Sequence, residues 1–358
     1  MRAVPGENDD APALAEVVTR ALEGNRRAIA QLITVVEQGG RAAREVLAQV
    51  YPQTGRAHLV GVTGAPGSGK STLVNEMAKV YRQRGLDVGI IAVDPTSPFS
   101  GGAILGDRIR MRDVVTDPHI FIRSMATRGS LGGLARATAD ATRVLDAAGY
   151  RIVLVETVGA GQSEVEIARF AHTTVVLQVP ATGDEIQAIK AGILEVADII
   201  VVNKADLPAA DSAVAALQAM LDLNSLPTGW HHGRHVEAQQ PAGDADASAR
   251  PWQVPVLKTC ALRGTGVPEL IDAIQAHREH QQRSGLTRLR ERERVEGELR
   301  DILSQALLRE LLDGLSAADL ERAVERILAR EQDPYAAAHE LMAQAKLDQS
   351  QEESTQAR

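Results

Sequence analysis

The feature that most constrains this chain is a glycine-rich octapeptide, residues 64–71, which fits the pattern G-x-x-x-x-G-K-[ST] without a mismatch. An apolar run, 59–62, precedes it, and a stretch of helical character, 72–82, follows it. This order predicts a phosphate-binding loop between a strand and a helix, where backbone N–H groups hold an anion. The alternative, a glycine-rich turn before an ordinary helix, is disfavoured by this context. The residues predicted to bind the nucleotide are Gly64, Ala65, Pro66, Gly67, Ser68, Gly69, Lys70, Ser71 and Thr72.

Two side chains of this loop, together with nearby acids, predict a magnesium site. Lys70 is expected to reach the β- and γ-phosphates and to serve catalysis, and the Ser71 hydroxyl is expected to ligate Mg²⁺. Open α/β sheets bind ligands at the carboxyl ends of their strands. Asp94 and Glu156 end predicted strands, and Asp107 lies between them. A turn at Asp94 and a helix N-cap at Asp107 are the alternatives.

The segment that follows Glu156 is predicted to change with the state of the nucleotide. The backbone N–H of Gly159 has no side chain beside it, so it can meet the γ-phosphate and move when that phosphate leaves. Gln162 lies three residues beyond this glycine. The residue that orients the hydrolytic water stays open at this stage.

A second motif, Asn203-Lys204-Ala205-Asp206, indicates which base is bound. It ends the apolar run 198–202, and the Asp206 carboxylate is expected to accept the N1–H and 2-amino groups of guanine. Adenine offers no such donor pair, so the wrong base leaves an acceptor unpaired. Asn203 is expected to tie this loop to the phosphate loop, and the Lys204 stem to cover the base. A solvated turn before Leu207 is the alternative.

A third segment, residues 260–262, follows another predicted strand. Its residues Cys260, Ala261 and Leu262 are expected to place a backbone N–H near the guanine O6. Many strands end in small residues, so this segment is less specific than the two motifs. The ligands predicted from the residues are therefore GTP or GDP with Mg²⁺.

Between His58 and His280, strand-like runs alternate with helical stretches. The runs are continuous and rich in β-branched residues, which is typical of strands covered on both faces. This pattern predicts the α/β class: a P-loop NTPase with a mostly parallel sheet flanked by helices, plus N-terminal helices and a C-terminal helical extension. The predicted strands are His58–Thr63, Val88–Asp94, His119–Met125, Arg151–Val158, Thr173–Val179, Asp198–Asn203 and Pro255–Ala261.

The predicted domains are an N-terminal helical segment, 1–55, the nucleotide-binding domain, 56–282, and a C-terminal helical extension, 283–358. We expect two short helices in the first, separated at Gly24–Asn25. In the third, Gly314 is expected to end a helix, Ser316 to cap the next, and Pro334 to start another, with a disordered tail from Asp348. The extension is a possible dimerisation arm.

A polar stretch at about residues 227–251 interrupts this organisation and is predicted to be a surface loop, in part disordered. It contains His231, His232 and His235. These histidines form either a metal patch or a solvated loop, and the lack of a carboxylate or cysteine at ligand spacing favours the loop.

Composition limits the other function classes. The 358 residues suffice for one large core with appendages, and 39 basic against 47 acidic residues give a net charge of −8. This balance argues against a nucleic-acid partner. One cysteine excludes an internal disulfide framework. No apolar run is long enough to span a bilayer, and the start is unlike a signal peptide. We expect a cytoplasmic protein without a membrane partner.

Five longer strings are distinctive, and they are Asp94–Arg108, Arg128–Gly133, Glu156–Glu164, Pro180–Ile193 and Asp333–Tyr335. Through these strings the chain resembles one family, the MeaB-type GTPases, also called the ArgK or methylmalonic aciduria type A family. The likeness extends from about Ala28 to about Ala345, and members are GTPase chaperones of adenosylcobalamin-dependent acyl-CoA mutases.

This resemblance implies a function beyond GTP hydrolysis. Members bind a mutase, gate delivery of adenosylcobalamin, which they handle through the mutase, and help to replace inactivated cofactor. Hydrolysis is slow alone and is stimulated by the mutase. By position, Asp94 and 101–111 resemble switch I, 156–162 resembles switch II, and 179–190 resembles an additional switch III.

The resemblance also implies further catalytic residues. Asp184, Gln187 and Lys190 occupy the positions through which the mutase completes the hydrolysis site, and Arg110 is another candidate. Without the resemblance, Lys190 is an ordinary exposed lysine on a helix. Which acyl-CoA mutase is served, and whether the chain is a homodimer, stays open.

Two other functions remain as alternatives. A GTPase that inserts a transition metal into an apoenzyme needs soft ligands of its own, and the chain has one cysteine and the three histidines named above. A P-loop small-molecule kinase needs an acceptor pocket and has no need of a guanine-reading Asp206.

Overall fold

The computed structural model describes residues 10–95, 112–127, 133–157, 170–180, 195–224, 230–231, 234–235 and 251–356. Its centre is a seven-stranded sheet in the spatial order β3-β2-β4-β1-β5-β6-β9, in which all neighbouring strands are parallel. The strands are β1 His58–Gly64, β2 Val88–Pro95, β3 Ile120–Thr127, β4 Ile152–Glu156, β5 Thr173–Gln178, β6 Ile199–Val202 and β9 Val256–Lys258. The seven predicted strands and the α/β P-loop fold are thus confirmed, with shifts of a few residues at strand ends.

Helices cover both faces of this sheet. The bounds of the helices are α1 Asp10–Leu22, α2 Arg26–Gln38, α3 Gly40–Val50, α4 Lys70–Gln83, α5 Arg112–Val115, α6 Gly133–Ala147, α7 Ala210–Asn224, α8 Val267–Arg283, α9 Leu286–Asp313, α10 Ala317–Leu328 and α11 Pro334–Gln356. On one face, α4 and α8 bury apolar side chains against β1 and β4. On the other face, α2, α3 and α6 do so. Burial on both faces explains why the strands are apolar without alternation.

The N-terminal segment forms three helices, so the prediction of two was wrong. Asn25 separates the first two as expected, and its side chain accepts the Ala28 N–H at 3.1 Å as an N-cap. The second break lies at Gly39 and Gly40, whose φ angles of 74° and 81° interrupt the helical run. These helices pack on the sheet domain, and Ile29 is fully buried there.

Contacts divide the chain into two compact units, Met1–Gly285 and Leu286–Arg358. In the second unit, Ser316 caps α10 in a capping box with Asp319, and Pro334 begins α11, both as predicted. Helix α11 is assigned to Gln356, and the disordered tail expected from Asp348 is not tested by this assignment and stays a prediction.

The polar stretch after α7 contains a short antiparallel pair, β7 Trp230–His231 and β8 Arg234–His235. The third histidine of the group, His232, lies outside the described residues. Among the side chains that the structure describes, no cluster of three His, Cys, Asp or Glu is arranged to hold a metal ion. The side chains of His231 and His235 lie outside this description as well, so the choice between a metal patch and a solvated loop stays a prediction.

A buried polar cluster lies at the amino ends of β1, β5 and β6, at the opposite edge of the sheet from the phosphate loop. His58 Nε2 lies 2.9 Å from Thr173 Oγ1, which in turn lies 2.9 Å from His277 Nδ1. His277 Nε2 is 3.3 Å from Asp198 Oδ1. Burial lowers the pKa of His58 well below its ordinary value of 6.5, helped by the charges of His172, Arg278 and His277 and opposed by that of Asp198.

This cluster predicts a loss of stability in mild acid. The unfolded chain binds a proton at His58 below about pH 6.5, whereas the folded chain binds that proton only at a lower pH, because the pKa of His58 is lowered by folding. The free energy of unfolding therefore falls as the pH drops. The limiting slope is about 1.4 kcal/mol per pH unit. We expect urea unfolding at pH 7.5 and pH 5.5 to show this decline and a His58→Gln variant to show a shallower one. An equal slope in both proteins would contradict the prediction.

Candidate functional site

The carboxyl ends of β1, β4 and β6 border a cavity of about 600 Å³. Its walls come from the phosphate loop, from Glu156 at the end of β4 and Thr157 directly after it, from Asn203, Lys204, Asp206 and Leu207 after β6, and from Cys260–Leu262 after β9. The structure thus brings together the three segments that the sequence singled out. A parallel sheet with β1 near its middle places these strand ends side by side.

The phosphate loop is held in a conformation that requires glycine. Gly69 has a φ of 94°, and a Cβ atom at this position would lie 2.4 Å from the Asn203 Nδ2. Helix α4 begins at the next residue, Lys70, so its N-terminus faces the cavity. Lys70 is 6% exposed, and its Nζ donates to the carbonyl oxygens of Gly64 at 2.8 Å and Ala65 at 3.0 Å. The loop therefore surrounds a buried cation and a helix N-terminus, which together suit phosphate.

The metal side of the cavity joins the loop to β4. Ser71 Oγ donates to Glu156 Oε1 at 2.6 Å, and both residues are buried. Asp94 lies near the end of β2, next to β4, where Ala92 pairs with Glu156. A hydroxyl and a carboxylate in contact offer the hard oxygen ligands that Mg²⁺ prefers, so these residues fit the ion.

Several predicted site residues lie outside the described residues. They comprise one of the predicted metal ligands, the switch glycine and the catalytic residues that the resemblance implies. These residues are Asp107, Arg110, Gly159, Asp184, Gln187 and Lys190.

Asn203 connects the base-reading loop to the phosphate loop, as predicted. Its Nδ2 donates to the Ser68 carbonyl at 2.8 Å. Its Oδ1 accepts the Thr259 hydroxyl at 3.0 Å and the Ala261 N–H at 3.1 Å. The Ala261 N–H is thus used within the protein, and the placement of a backbone N–H of segment 260–262 near the guanine O6 stays a prediction. Sequence reasoning missed Thr259, although its place directly before Cys260 was a usable signal.

Asp206 lies in the cavity wall with two neighbours that hold its carboxylate. Cys260 Sγ donates to Asp206 Oδ1 at 3.4 Å, and Arg263 Nη2 lies 3.7 Å from Asp206 Oδ2. Lys204 has a φ of 58°, which turns the chain between Asn203 and Asp206. Leu262, at the rim of the cavity, is 87% exposed. A carboxylate held by these contacts, in a wall that also contains Lys204 and Leu262, suits the polar edge of a purine.

Residues 29–315 match the family model described as "Methylmalonyl Co-A mutase-associated GTPase MeaB". A GTPase candidate of Pyrococcus abyssi is 46% identical over 325 residues, which cover 91% of this chain and 94% of that protein. The GTPase ArgK of Escherichia coli is 48% identical over 147 residues, or 41% of this chain and 44% of ArgK. The mouse "Methylmalonic aciduria type A homolog, mitochondrial" is 35% identical over 226 residues, 63% of this chain and 50% of the mouse protein.

A solved structure with the same architecture is the crystal structure of an "LAO/AO transport system kinase". It superposes with a TM-score of 0.65 at 26% sequence identity, covering 95% of this chain and 98% of the other. Within the described residues, no helix is both long enough and apolar enough to cross a membrane.

Proposed function

Because the chain belongs to the MeaB family of GTPases, we propose that it is a G-protein chaperone of an adenosylcobalamin-dependent acyl-CoA mutase. It binds the mutase and gates the loading, protection and replacement of the adenosylcobalamin, which is held by the mutase. The observation that carries the proposal is the cavity that unites Lys70, the Ser71–Glu156 pair and Asp206. The residues that we assign to phosphate binding, metal binding and base recognition therefore line the same cavity.

The residues of the cavity divide the work of GTP hydrolysis. Water attacks the γ-phosphorus, and the bond from that phosphorus to the β–γ bridging oxygen breaks, leaving GDP and phosphate. Lys70 and the loop N–H groups neutralise the charge that develops on the phosphate oxygens. Ser71 and Glu156 would hold Mg²⁺, with Asp94 and Asp107 as further ligands, and the ion would supply charge neutralisation to the phosphates.

Coupling to the mutase is proposed for segments outside the described residues. Gly159 donates its N–H to the γ-phosphate and moves when that group leaves. Arg110, Asp184, Gln187 and Lys190 complete the hydrolysis site when the mutase binds, so hydrolysis is slow without it. Family membership supports all of these assignments. The assignment of Gly159 is further supported by its position shortly after Glu156, the last residue of β4.

Transfer of adenosylcobalamin tests this function. Apo-methylmalonyl-CoA mutase is mixed with the chain and adenosylcobalamin, and loading is followed by the cobalamin absorbance. We expect the loading rate to differ between GTP and a non-hydrolysable GTP analogue, and to lose this dependence when the chain is omitted. Loading that is indifferent to the nucleotide would refute the gating function.

We further propose that the second unit, which we call the C-terminal arm (residues 286–358), pairs two copies of the chain. In the described part of this arm, only Ala337 and Ala345 are buried. Four apolar side chains at a spacing of four residues form an exposed stripe on α9, and the stripe consists of Val295, Leu299, Leu303 and Leu307. A stripe that its own chain leaves exposed is typical of a helix that pairs with another copy.

We expect the chain to form a homodimer through the C-terminal arm, and we expect charged side chains on the stripe to disrupt this dimer. Size-exclusion chromatography with light scattering is expected to give twice the chain mass for the parent protein. It is expected to give the monomer mass for the double variant Leu303→Glu/Leu307→Glu, because two carboxylates would be buried. The control carries acidic substitutions at the same spacing but off the stripe, Gln305→Glu/Arg309→Glu. A monomeric parent, or a dimeric double variant, would contradict the proposal.

A further inference from the structure

A buried pair of hydroxyl groups joins β1 and β4 at their carboxyl ends. Thr157 Oγ1 donates to Thr63 Oγ1 at 2.9 Å, and the two residues are 3% and 0% exposed. Thr157 lies one residue beyond the last residue of β4, and its N–H also donates to the Val62 carbonyl at 3.1 Å. Thr63 directly precedes Gly64, the first residue of the phosphate loop. The two contacts therefore join the strands where both leave the sheet.

The pair lies on the opposite face of the sheet from the metal residues. Side chains alternate along a strand, so Thr157 shares a face with Val153 and Val155, which pack towards α2, α3 and α6. Glu156 shares the other face with Leu154, which packs towards α4. The backbone at Glu156–Thr157 is thus held from both sides. The Glu156 side chain accepts a hydrogen bond from Ser71, and the Thr157 side chain donates a hydrogen bond to Thr63.

We propose that Thr63 and Thr157 are positioning residues that keep the Glu156 carboxylate in place for Mg²⁺ in the nucleotide site. This inference rests on the proposed GTPase function. A carboxylate is a useful metal ligand only when its oxygens stay within a fraction of an ångström of the required position. The hydroxyl pair fixes the backbone next to Glu156 against β1, the strand that also ends in the phosphate loop. It thereby sets the distance between the two parts of the metal site.

The two roles of the pair, stability and positioning, separate in a double variant. Thr157→Val keeps the shape of the side chain but leaves the buried Thr63 hydroxyl without its partner, which lowers stability. Replacing both residues by Val removes both polar groups, a change that is close to neutral for stability. The directional bond is absent in both variants. A positioning defect therefore persists in the double variant, whereas a purely structural defect does not.

The test measures how Mg²⁺ strengthens GDP binding, by titration calorimetry at several Mg²⁺ concentrations and in EDTA, together with urea unfolding. In Thr157→Val we expect the half-saturating Mg²⁺ concentration to rise about fivefold, which corresponds to the loss of one hydrogen bond. GDP affinity in EDTA is expected to fall by a smaller factor than the Mg²⁺ requirement rises. Thr157→Ser, which keeps the hydroxyl, is expected to stay within about twofold of the parent protein.

The deciding comparison is the double variant Thr63→Val/Thr157→Val. We expect its unfolding midpoint to return close to the parent value while the raised Mg²⁺ requirement remains. If Thr157→Val is too unstable to purify, the double variant carries the same comparison. An unchanged Mg²⁺ requirement, or one that recovers together with stability, would overturn the positioning role alone. Failure of the parent protein to bind GDP would instead overturn the proposed function, and this inference with it.

Discussion

Replacing Asp206 by Asn is expected to turn a GDP-binding protein into one that prefers xanthosine diphosphate. The carboxylate accepts two donors from guanine, whereas the amide presents a donor of its own to the same edge. Xanthine carries a carbonyl where guanine carries its amino group, so the amide suits it. A mismatched hydrogen-bonding pair in a desolvated site costs about 3 kcal/mol, so we expect GDP affinity to fall about 100-fold.

Titration calorimetry with GDP and with xanthosine diphosphate measures this exchange directly. Asp211→Asn is a matched control, because Asp211 lies on α7, shortly after the loop, and its side chain is 87% exposed. It makes the same chemical change outside the cavity and is expected to leave both affinities unaltered. A variant Asp206→Asn that still prefers GDP would show that another group reads the base.

Replacing Lys70 by Ala is expected to remove most of the affinity for GTP and to abolish detectable hydrolysis. The Nζ is the one charged group that donates to the Gly64 and Ala65 carbonyl oxygens in the described loop. A buried cation within reach of two phosphates contributes several kcal/mol in the transition state, so the rate falls by at least about 1,000-fold.

The Lys70 experiment needs a control for helix stability, because α4 begins at this residue. Lys79→Ala is a suitable control, since Lys79 lies on the same helix and forms a partly exposed ion pair with Glu76 at 2.7 Å. We expect that variant to hydrolyse GTP at the parent rate. Both variants are compared by phosphate release and by thermal unfolding. Full hydrolysis by Lys70→Ala would contradict the role assigned to this lysine.

Local patterns predicted much of the fold, because the strands are buried on both faces and each one is therefore a continuous apolar run. The ends of β4 and β9 were predicted too long. Strand β9 ends at Lys258, which pairs with Val202, the last residue of β6, and no local pattern records where a partner strand ends. The break at Gly39–Gly40 was missed because the apolar periodicity continues across it.

The candidate site was predictable where its chemistry is contained in one short segment. The phosphate loop and the Asn203–Asp206 motif are of this kind, and the predicted tie from Asn203 to the phosphate loop is confirmed. Contacts between distant segments were not predictable from residue types. The Thr63–Thr157 bond and the Cys260–Asp206 contact depend on strand register and on loop geometry. The coupling to a mutase came from resemblance and remains a proposal.

The rate of GTP hydrolysis with and without the mutase tests the central claim most directly. Phosphate release is measured at saturating GTP while the concentration of methylmalonyl-CoA mutase, or of another adenosylcobalamin-dependent acyl-CoA mutase, is raised. We expect the rate to increase and to saturate once the mutase is in stoichiometric excess, with no increase for an unrelated protein at equal concentration. A rate that stays constant across this titration, for either mutase, would contradict the assignment as a mutase chaperone.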